Sequence, residues 1–352
     1  MKNLSKFSIL ILLLQIIVIS NIGCKKEKGQ YLFPGEKHFK NIKMLTDVGE
    51  NAEAYLSFDQ KKLIYQSTFG KYKCDQIFTM NIDGTDKKLV STGKGRTTCS
   101  YFLPGDSTII YASTHLADEN CPPPPDRSKG YVWKLYDTFD IFKANADGTN
   151  LVRLTNTPGY DAEATLSPVG DKIVFTSTRD GDPEIYTMDL DGSNQTRLTF
   201  HKGYDGGPFF SQDGKKIVFR ASSPKTEKEN KDYNDLVKNG LVRPTALEIY
   251  VMDADGKNVK QLTDFGKASF APYFTPDTKK IIFSSNVKSK TGRNFDLYII
   301  NIDGTGLEQI TFYDQFDGFP MFTNDGKKIV FASNRLHKNE GDTNIFIADW
   351  VE

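Results

Sequence analysis

The sequence predicts an all-β fold, a six-bladed β-propeller of four-stranded antiparallel blades. The chain repeats one pattern of strands and turns six times, each copy contains a hairpin signature, and the N-terminal part supplies a strand that the sixth copy lacks. A single repeat cannot bury its own hydrophobic face, so successive copies must stack on one another. A base period of about 45 residues with four strands is typical of a propeller blade.

Each copy begins with two β-rich runs joined by a turn rich in Pro, Asp and Gly, which indicates a hairpin. The six predicted hairpins span residues 52–67, 98–113, 162–177, 206–222, 270–285 and 318–333. A third run such as EIYTMDLDG follows each hairpin, and in five copies an Asp-Gly turn leads to a fourth strand. Gly accepts a positive φ and Asp can bond its own backbone, which suits a tight turn.

The spacing of the Asp-Gly turns predicts two insertions. These turns begin at Asp83, Asp147, Asp191, Asp255 and Asp303, which are 64, 44, 64 and 48 residues apart. The two long spacings place an insertion of roughly 20 residues in the second and fourth blades.

The sixth copy ends without an Asp-Gly turn or a fourth strand. Residues 39–46 match residues 258–263, which form a fourth strand, but no hairpin precedes them. We expect residues 39–46 to pair with residues 344–349 and close the ring, because closure removes two exposed sheet edges. The alternative is an open array with a frayed last repeat.

The repeats resemble the TolB-like, WD-like propeller-repeat family over residues 39–351. The resemblance implies the fold and leaves the function open, because propellers serve as binding modules, lyases, hydrolase domains and scaffolds. The family's namesake carries an α/β domain before its propeller, whereas only a short segment follows Cys24 here. The resemblance therefore does not extend to the namesake's partners.

The N-terminus predicts export and lipidation, and we divide the chain at residues 1–23, 24–37 and 38–352. Residues 1–23 read as a lipoprotein signal peptide, with Lys2 and Lys6 before a short apolar run. Gly23-Cys24 resembles a bacterial lipobox, although Asn21 departs from its usual aliphatic residue. Cys24 would then be lipidated, residues 24–37 would form a polar tether, and residues 38–352 would form the propeller. An ordinary signal peptide with a chance Cys is the alternative.

This reading places the protein in the cell envelope, anchored by lipid, with the outer membrane as the expected site. The charged residues 25–28 fit either a solvated spacer on the periplasmic side or a signal for surface exposure. The 45 basic and 45 acidic residues balance, and no basic stripe indicates a nucleic-acid partner.

Three further cysteines remain, and the envelope permits disulfides. Cys99 begins an inner strand of the second blade and Cys121 lies in the insertion of that blade, so we favour a Cys99–Cys121 bridge. A Cys74–Cys99 bridge and three free thiols are the alternatives.

The two insertions, residues 114–138 and 223–246, connect second to third strands and therefore rise on the same face of the ring. Blade three has only the short loop 178–183 there. We expect a groove with blade three as its floor and the insertions as its walls, because long loops on a rigid scaffold are where binding usually occurs. The aromatic candidates are Tyr131, Trp133, Tyr136 and Tyr233, which would stack on a ligand or pack the insertions onto their blades.

An acidic pattern recurs at the start of the inner strands. Asp161, Asp205 and Asp317 occupy equivalent positions, with Glu53 and Glu163 close by. If these carboxylates converge at the channel mouth, they would bind a cationic ligand or a hard cation such as Ca²⁺. Arg179 and Arg335 are candidate neutralising partners. The alternative is that each Asp caps its own turn.

Sequence motifs for catalysis are absent, since the chain has no Gly-x-Ser-x-Gly, His-Glu-x-x-His or phosphate-binding loop. We therefore expect a binding module that holds an envelope protein, peptide or glycan. We expect no resident cofactor other than a possible divalent cation. The alternative is a metal-assisted lyase or hydrolase of envelope polysaccharide. His115, beside the groove, is its one candidate base.

Overall fold

The computed structural model describes residues 31–352, so the predicted signal peptide and the lipidation candidate Cys24 lie outside the described residues. The described chain contains helix α1 (Glu227–Val237) and a short 3-10 helix (Arg127–Lys129). Its strands are, in chain order, β1 Phe39–Met44, β2 Glu50–Leu56, β3 Lys62–Thr68, β4 Gln76–Asn81, β5 Lys88–Leu89, β6 Thr97–Phe102, β7 Thr108–Ser113, β8 Trp133–Lys134, β9 Asp140–Asn145, β10 Val152–Arg153, β11 Asp161–Leu166, β12 Ile173–Ser177, β13 Glu184–Met188, β14 Thr196–Arg197, β15 Tyr204–Phe210, β16 Lys216–Ser222, β17 Leu241–Val242, β18 Glu248–Asp253, β19 Lys260–Gln261, β20 Ser269–Phe274, β21 Lys280–Ser285, β22 Asp296–Asn301, β23 Glu308–Gln309, β24 Asp317–Phe322, β25 Lys328–Ser333 and β26 Asn344–Trp350.

Six four-stranded antiparallel sheets form the blades of a ring, as the sequence predicts. From the innermost strand outward, blades one to five are β2-β3-β4-β5, β6-β7-β9-β10, β11-β12-β13-β14, β15-β16-β18-β19 and β20-β21-β22-β23. The innermost strands contact one another in a closed circle, β2 also meeting β24 of the sixth blade. The fold is a six-bladed β-propeller.

The sixth blade combines both ends of the described chain. Its order is β24-β25-β26-β1, so the N-terminal strand β1 is the outer neighbour of the C-terminal strand β26. Phe39 pairs with Trp350 and Met44 with Phe346. The predicted closure is confirmed, and the open array is wrong.

An aromatic pair between the second and third strands recurs in every blade. The pairs are Tyr65–Phe78, Tyr111–Phe142, Phe175–Tyr186, Phe219–Tyr250, Phe283–Tyr298 and Phe331–Phe346, with ring centroids 5.6 to 6.4 Å apart. In each pair the second-strand ring is almost fully buried, because neighbouring blades cover both faces of the middle strands. Such pairs contribute about 0.5–1.5 kcal/mol each beyond the area they bury.

The loops between second and third strands and the connections between blades share one face, which we call the insertion face. Parallel bridges join the two kinds of segment, as between Leu247 and Ala268 and between Phe295 and Phe316. Both insertions lie on this face, as the sequence predicts. Helix α1 in the second insertion starts with a capping box, in which Thr226 Oγ1 accepts from Glu229 N at 3.2 Å and Glu229 Oε2 accepts from Thr226 N at 3.1 Å.

The two insertions are joined, which corrects the expectation of a groove between two separate walls. Strand β8 of the first insertion pairs with β17 of the second, with Trp133 opposite Val242 and Lys134 opposite Leu241. Val132, Leu236 and Leu241 form a small buried cluster beside this pair. The insertions therefore form one arch that reaches from blade two to blade four.

The predicted Cys99–Cys121 bridge is wrong. The disulfide joins Cys74 and Cys121, and Cys99 is a buried free thiol. Cys74 lies in the loop between β3 and β4, on the insertion face, where the insertion of the adjacent blade can reach it. Cys99 is in β6, where its side chain lines the central channel away from the insertion.

Residues 31–37, predicted as tether, pack against blade six. The ring of Tyr31 meets Phe346 at 5.4 Å, and Glu36 bonds Arg335. The packed body thus begins several residues before the predicted boundary at residue 38. In residues 31–352 no helix combines the length and the hydropathy needed to span a bilayer.

Candidate functional site

An Asp–Ser–Arg unit occurs in blades three and six. In blade three, the Arg179 Nη2 atom contacts both oxygens of Asp161 at 2.9 and 3.0 Å, and its Nε donates to Ser177 Oγ at 2.8 Å. In blade six, Arg335 contacts Asp317 and Ser333 in the same way, with each distance between 2.9 and 3.0 Å. Both predicted arginines therefore neutralise the Asp of their own blade.

The unit in blade six is completed by the N-terminal segment. Arg335 is fully buried and also donates to Glu36 at 3.0 and 3.2 Å and to the Tyr31 carbonyl at 2.8 Å. One guanidinium thus faces two carboxylates away from solvent. Burial raises the pKa of Glu36, while Arg335 opposes that rise.

Asp205, the equivalent residue in blade four, has a different environment. Its side chain is buried beside Glu184, and the Nε2 atom of His201 lies 3.2 Å from Oδ1. The angles of that contact do not make a hydrogen bond, since neither Asp205 oxygen has such a partner in the described residues. Burial first, and then the neighbouring Glu184 carboxylate, raise the pKa of Asp205 well above its usual range.

The channel is lined by one bulge residue from each inner strand. Each inner strand breaks register with its neighbour, and the break contains a residue with φ between 49° and 57°. The six residues at this position are Glu53, Cys99, Glu163, Gly207, Ala271 and Phe319, and all line one small cavity. Its volume of about 20 Å³ is enough for one water molecule.

Glu163 is already neutralised by protein groups. Arg220 makes a short contact with Oε1, and Oε2 accepts from Thr176 Oγ1 at 2.7 Å and from Gly207 N at 2.8 Å. Glu53 makes no ion pair with any described residue, and its Oε2 has no hydrogen bond within the described residues. Burial raises the pKa of Glu53 to about 7.

An aromatic layer fills the channel one step further along the inner strands. Tyr55 contacts Tyr101 and Phe209, and Phe209 contacts Tyr273, with centroids 5.4 to 5.5 Å apart. Tyr55 and Phe209 of this layer line the same small cavity as the bulge residues.

The structure does not gather the four predicted carboxylates. Asp161 and Asp317 are paired with the arginines of their own blades, and Asp205 lies beside Glu184. Glu163, two residues after Asp161, lines the channel instead. The bulge separates these positions, which sequence spacing alone does not reveal. Among residues 31–352 no group of three or more His, Cys, Asp or Glu side chains is arranged to hold a metal ion.

His115 occupies the arginine position of the repeat. Its Nδ1 atom lies 2.8 Å from Ser113 Oγ, as Arg179 Nε does from Ser177, and its ring packs 4.6 Å from Phe142. Burial and the nearby Lys94 lower its pKa. The structure thus places His115 in a packing position, apart from the acidic residues with which it was grouped.

Of the four aromatic candidates, one is largely exposed on the surface, where its hydroxyl accepts from Trp133 Nε1 at 3.2 Å. Tyr131 is 67% exposed, whereas Trp133, Tyr136 and Tyr233 pack on a buried cluster beneath the arch. Trp133 also covers the Arg220 guanidinium at 5.2 Å. Packing of the insertion onto the blades is therefore the role of these three rings.

A cavity of about 490 Å³ opens on the insertion face between blade three and helix α1. It is lined by Asp180, Gly181, Asp182, Glu184, Arg197, Phe200, His201, Lys202, Tyr233, Asn234, Val237 and Lys238. The first insertion contributes no residue to this wall. The cavity is thus half of the predicted groove, bounded by blade three and the second insertion.

The carboxylates of this cavity are occupied by internal donors. Asp182 accepts from Tyr233 Oη at 2.5 Å and from Gly203 N at 3.1 Å, and Glu184 is paired with Arg197 at 2.7 Å. Lys202 and Lys238, by contrast, make no ion pair with any described residue. Phe200 at the rim is 71% exposed and has Arg197 on one side of its ring, 4.8 Å away.

The acidic–arginine pairing in the outer half of the blades was missed by sequence reasoning. Asp140 pairs with Arg153 and Glu184 with Arg197, each 13 residues apart. The recurrence of an acid at the start of the third strand and an Arg in the fourth was visible in the sequence and could have predicted these pairs.

Two family models match this chain. The Tricorn protease N-terminal β-propeller domain matches residues 134–247, and the TolB β-propeller domain matches residues 242–350. The Tol-Pal system protein TolB of Bordetella pertussis is 49% identical over 39 residues, which are 11% of this chain. That segment spans only 9% of the length of this relative.

Solved structures with the same fold cover most of the chain. A putative TolB from Agrobacterium tumefaciens has a TM-score of 0.59 and 18% identity, covering 88% of this chain and 94% of that one. TolB from Acinetobacter baumannii has a TM-score of 0.55 and 20% identity, covering 86% and 64%. An oligogalacturonate lyase in complex with manganese has a TM-score of 0.51 and 12% identity, covering 88% and 93%. At these identities the likeness concerns the fold alone.

Proposed function

We propose that this chain, which is a TolB-like β-propeller, is a cell-envelope binding protein that holds a partner protein on its insertion face. The observation that carries the proposal is the arch. Two insertions from non-adjacent blades pair with each other, and the second of them forms one side of an open cavity of about 490 Å³. A rigid, elaborated loop face on a regular ring is the usual place for recognition.

Exposed apolar side chains on the insertion face support a protein partner. Leu116, Tyr131 and Phe200 lie in its loops and are 60%, 67% and 71% exposed. Aromatic residues of this kind are enriched at protein interfaces. The unpaired Lys202 and Lys238 would meet acidic groups at the rim of the same interface.

The location rests on the N-terminal sequence. The apolar leader and Gly23-Cys24 support export and lipidation at Cys24, and the polar residues after it would let the propeller stand off the membrane. Outer-membrane anchoring, on the periplasmic side or at the cell surface, is part of this proposal.

A peptide or a glycan, in place of a whole protein, is the other ligand class that we propose for the insertion face. The predicted residues do not favour the alternative of a metal-assisted lyase or hydrolase, because His115 lies on Ser113 and Phe142 and the predicted acidic set is dispersed. The likeness to an oligogalacturonate lyase concerns the fold alone. We therefore propose binding without catalysis.

Site-specific crosslinking in intact cells tests the proposal. A photoreactive phenylalanine analogue replaces Tyr131 or Phe200 in the full chain, and Val169 serves as the matched control because it is 60% exposed in a turn on the opposite face. We expect the same protein to attach at positions 131 and 200 and not at 169. Equal attachment at all three positions, or none at any, would refute a dedicated insertion face; attached saccharide would indicate a glycan instead.

A further inference from the structure

A second cavity lies on the other side of helix α1, between this helix and blade four. Its volume is about 420 Å³, within the range of small-molecule sites. Leu236, Val242, Ala246 and Tyr250 form apolar parts of its wall, and Glu248 is part of the same wall. Glu248 is only 7% exposed, so its carboxylate is one of the most buried charges of the blade.

Two neighbouring blades show a partner that the fold can supply to a carboxylate at this position. The equivalent residue of blade three is Glu184, which Arg197 contacts at 2.7 Å, and that of blade two is Asp140, which Arg153 contacts at 2.6 Å. In both blades the guanidinium reaches back from the fourth strand, 13 residues later. Two of the four blades with an acid at this position thus pair it with an arginine.

Blade four keeps the acid and lacks the arginine. Gln261 stands where blade three has Arg197, and its amide donates to the Thr263 carbonyl at 2.6 Å instead of to Glu248. Glu248 accepts one bond at each oxygen, from Thr263 Oγ1 at 2.6 Å and from Gly266 N at 2.7 Å. A carboxylate has room for further donors, and no cation of the described chain contacts this one.

Blade five provides a useful contrast. It also has Gln in place of Arg, but Gln309 donates directly to Asp296 at 3.1 Å. Gln261 makes no such bond to Glu248, and a cavity is present beside Glu248 instead. The substitution in blade four therefore leaves open the volume that an arginine head group occupies in blades two and three.

The two cations on the wall of this cavity are held elsewhere. Arg243 is bound to Asp232 at 3.0 and 3.2 Å, and Lys225 is 3.4 Å from Asp264. A buried carboxylate without a cation is costly, so a ligand that brings one gains the interaction that the blade lacks.

We propose that this cavity binds a guanidinium or primary ammonium group carried on an apolar stem, with Glu248 as its anchor. The head group takes the place of the missing arginine, and the stem lies against Leu236, Val242 and Tyr250. The same chemistry is offered by a free small molecule, such as an alkyl guanidine or polyamine, and by an Arg or Lys side chain of a protein. This site is separate from the interface at Phe200 and stands whether or not that interface exists.

Isothermal titration of the purified propeller with defined probes tests the site. The probes are agmatine, the acetylated and amidated tripeptide Ala-Arg-Ala, and the same tripeptide with neutral citrulline in place of Arg. We expect the charged probes to bind and the citrulline peptide to bind at least tenfold more weakly, because charged hydrogen bonds to a buried group carry the affinity. Tighter binding of the peptide would identify a protein side chain as the source, and tighter binding of agmatine a free small molecule.

Two variants locate the interaction. Glu248→Gln removes the charge and should weaken binding of the charged probes at least tenfold, in line with the loss of a charged hydrogen bond. Gln261→Arg removes no buried group, supplies the missing guanidinium from the protein itself and should abolish binding while the propeller stays folded. Asp255→Asn, in an exposed turn on the opposite face, controls for net charge.

Either of two results would overturn the proposal. One is the absence of binding of both charged probes to the unmodified protein at millimolar concentration. The other is unchanged affinity in Gln261→Arg, since a site that tolerates this arginine is not the volume that we assign. Loss of partner crosslinking at Phe200 with intact probe binding would refute the proposed interface and leave this site unaffected.

Discussion

Arg335 contacts both carboxylate oxygens of Asp317 at 2.9 Å in the interior of blade six. The same guanidinium holds Glu36, which precedes the first strand, so it joins the start of the packed chain to the last blade. Arg179 makes the equivalent contact with Asp161 but with one carboxylate and partial exposure.

Replacing Arg335 should destabilise the propeller strongly. Arg335→Met leaves two buried carboxylates without a cation, and removing one partner of a buried pair costs about 3–5 kcal/mol. Arg179→Met is the matched control and should cost less, because one carboxylate is involved and water reaches it. Urea unfolding followed by tryptophan fluorescence measures both. Similar midpoints for the two variants would contradict the role of Glu36.

The Cys74–Cys121 bridge should stabilise the arch and the blades it joins. The bridge closes a loop with a sequence separation of 47 residues, and Cys121→Ser should lower the free energy of unfolding by about 2–4 kcal/mol. Cys99→Ala is the control and should leave the bridge intact. Peptide mapping without reductant should recover a linked pair that contains Cys74 and Cys121. A linked pair that contains Cys99 would contradict the structure.

Glu53 should make the protein less stable as the pH rises. Burial raises its folded-state pKa to about 7 from an ordinary value of 4.5. Its contribution is therefore fully present below about pH 4.5 and is lost as the pH rises toward 7. Glu53→Gln should remove this decline and be more stable than the natural protein at pH 8, by an amount of order 1–3 kcal/mol. Urea titrations between pH 4.5 and 8 measure the difference.

Glu308 should affect the pH dependence of stability in the opposite direction. Lys37 and His38 lower its pKa to about 2, so its contribution is present above about pH 4.5 and is lost as the pH falls toward 2. Glu308→Gln should thus be less stable than the natural protein at neutral pH. It should still show the decline in stability that Glu53 causes as the pH rises.

We expect the stability of Glu53→Gln to stop declining between pH 4.5 and 7. If its slope is unchanged there, Asp296, whose pKa is also raised to about 7, accounts for the decline instead.

A charge inside the arch should open it without unfolding the ring. Leu241 is buried between Val132 and Leu236, and Leu241→Asp places an unpaired carboxylate there. We expect new protease cleavage within the two insertions, while the six blades remain resistant. Leu116→Asp, in the same arch but 60% exposed, is the control and should not create such sites. Limited proteolysis with mass spectrometry distinguishes this from global unfolding.

The fold was predictable because each blade has a recognisable pattern of strands and turns in the sequence. The local signals are the hairpin turns, the Asp-Gly turns and the strand at residues 39–46, which no hairpin precedes. Ring closure follows from them because the sixth copy lacks a fourth strand. The face shared by the insertions also followed, since it depends only on which strands they connect. These features require no knowledge of side-chain direction.

The site was less predictable because it depends on direction and on contacts between blades. The bulge turns Glu163 toward the axis and leaves Asp161 beside Arg179, although the two acids are two residues apart. The β8–β17 pair involves two residues on each side, which is too short for any periodic pattern. The disulfide crosses from one blade to the next, so spacing along the chain favoured the wrong partner.

The six bulge residues share one backbone conformation and carry five different kinds of group: two carboxylates, a thiol, a glycine, an alanine and a phenyl ring. An assembly of six identical subunits would have to present the same group six times around its axis. A single polypeptide with six unequal copies escapes that constraint. The residue that each blade contributes to the channel can therefore be substituted separately, while the blades around the channel keep their fold.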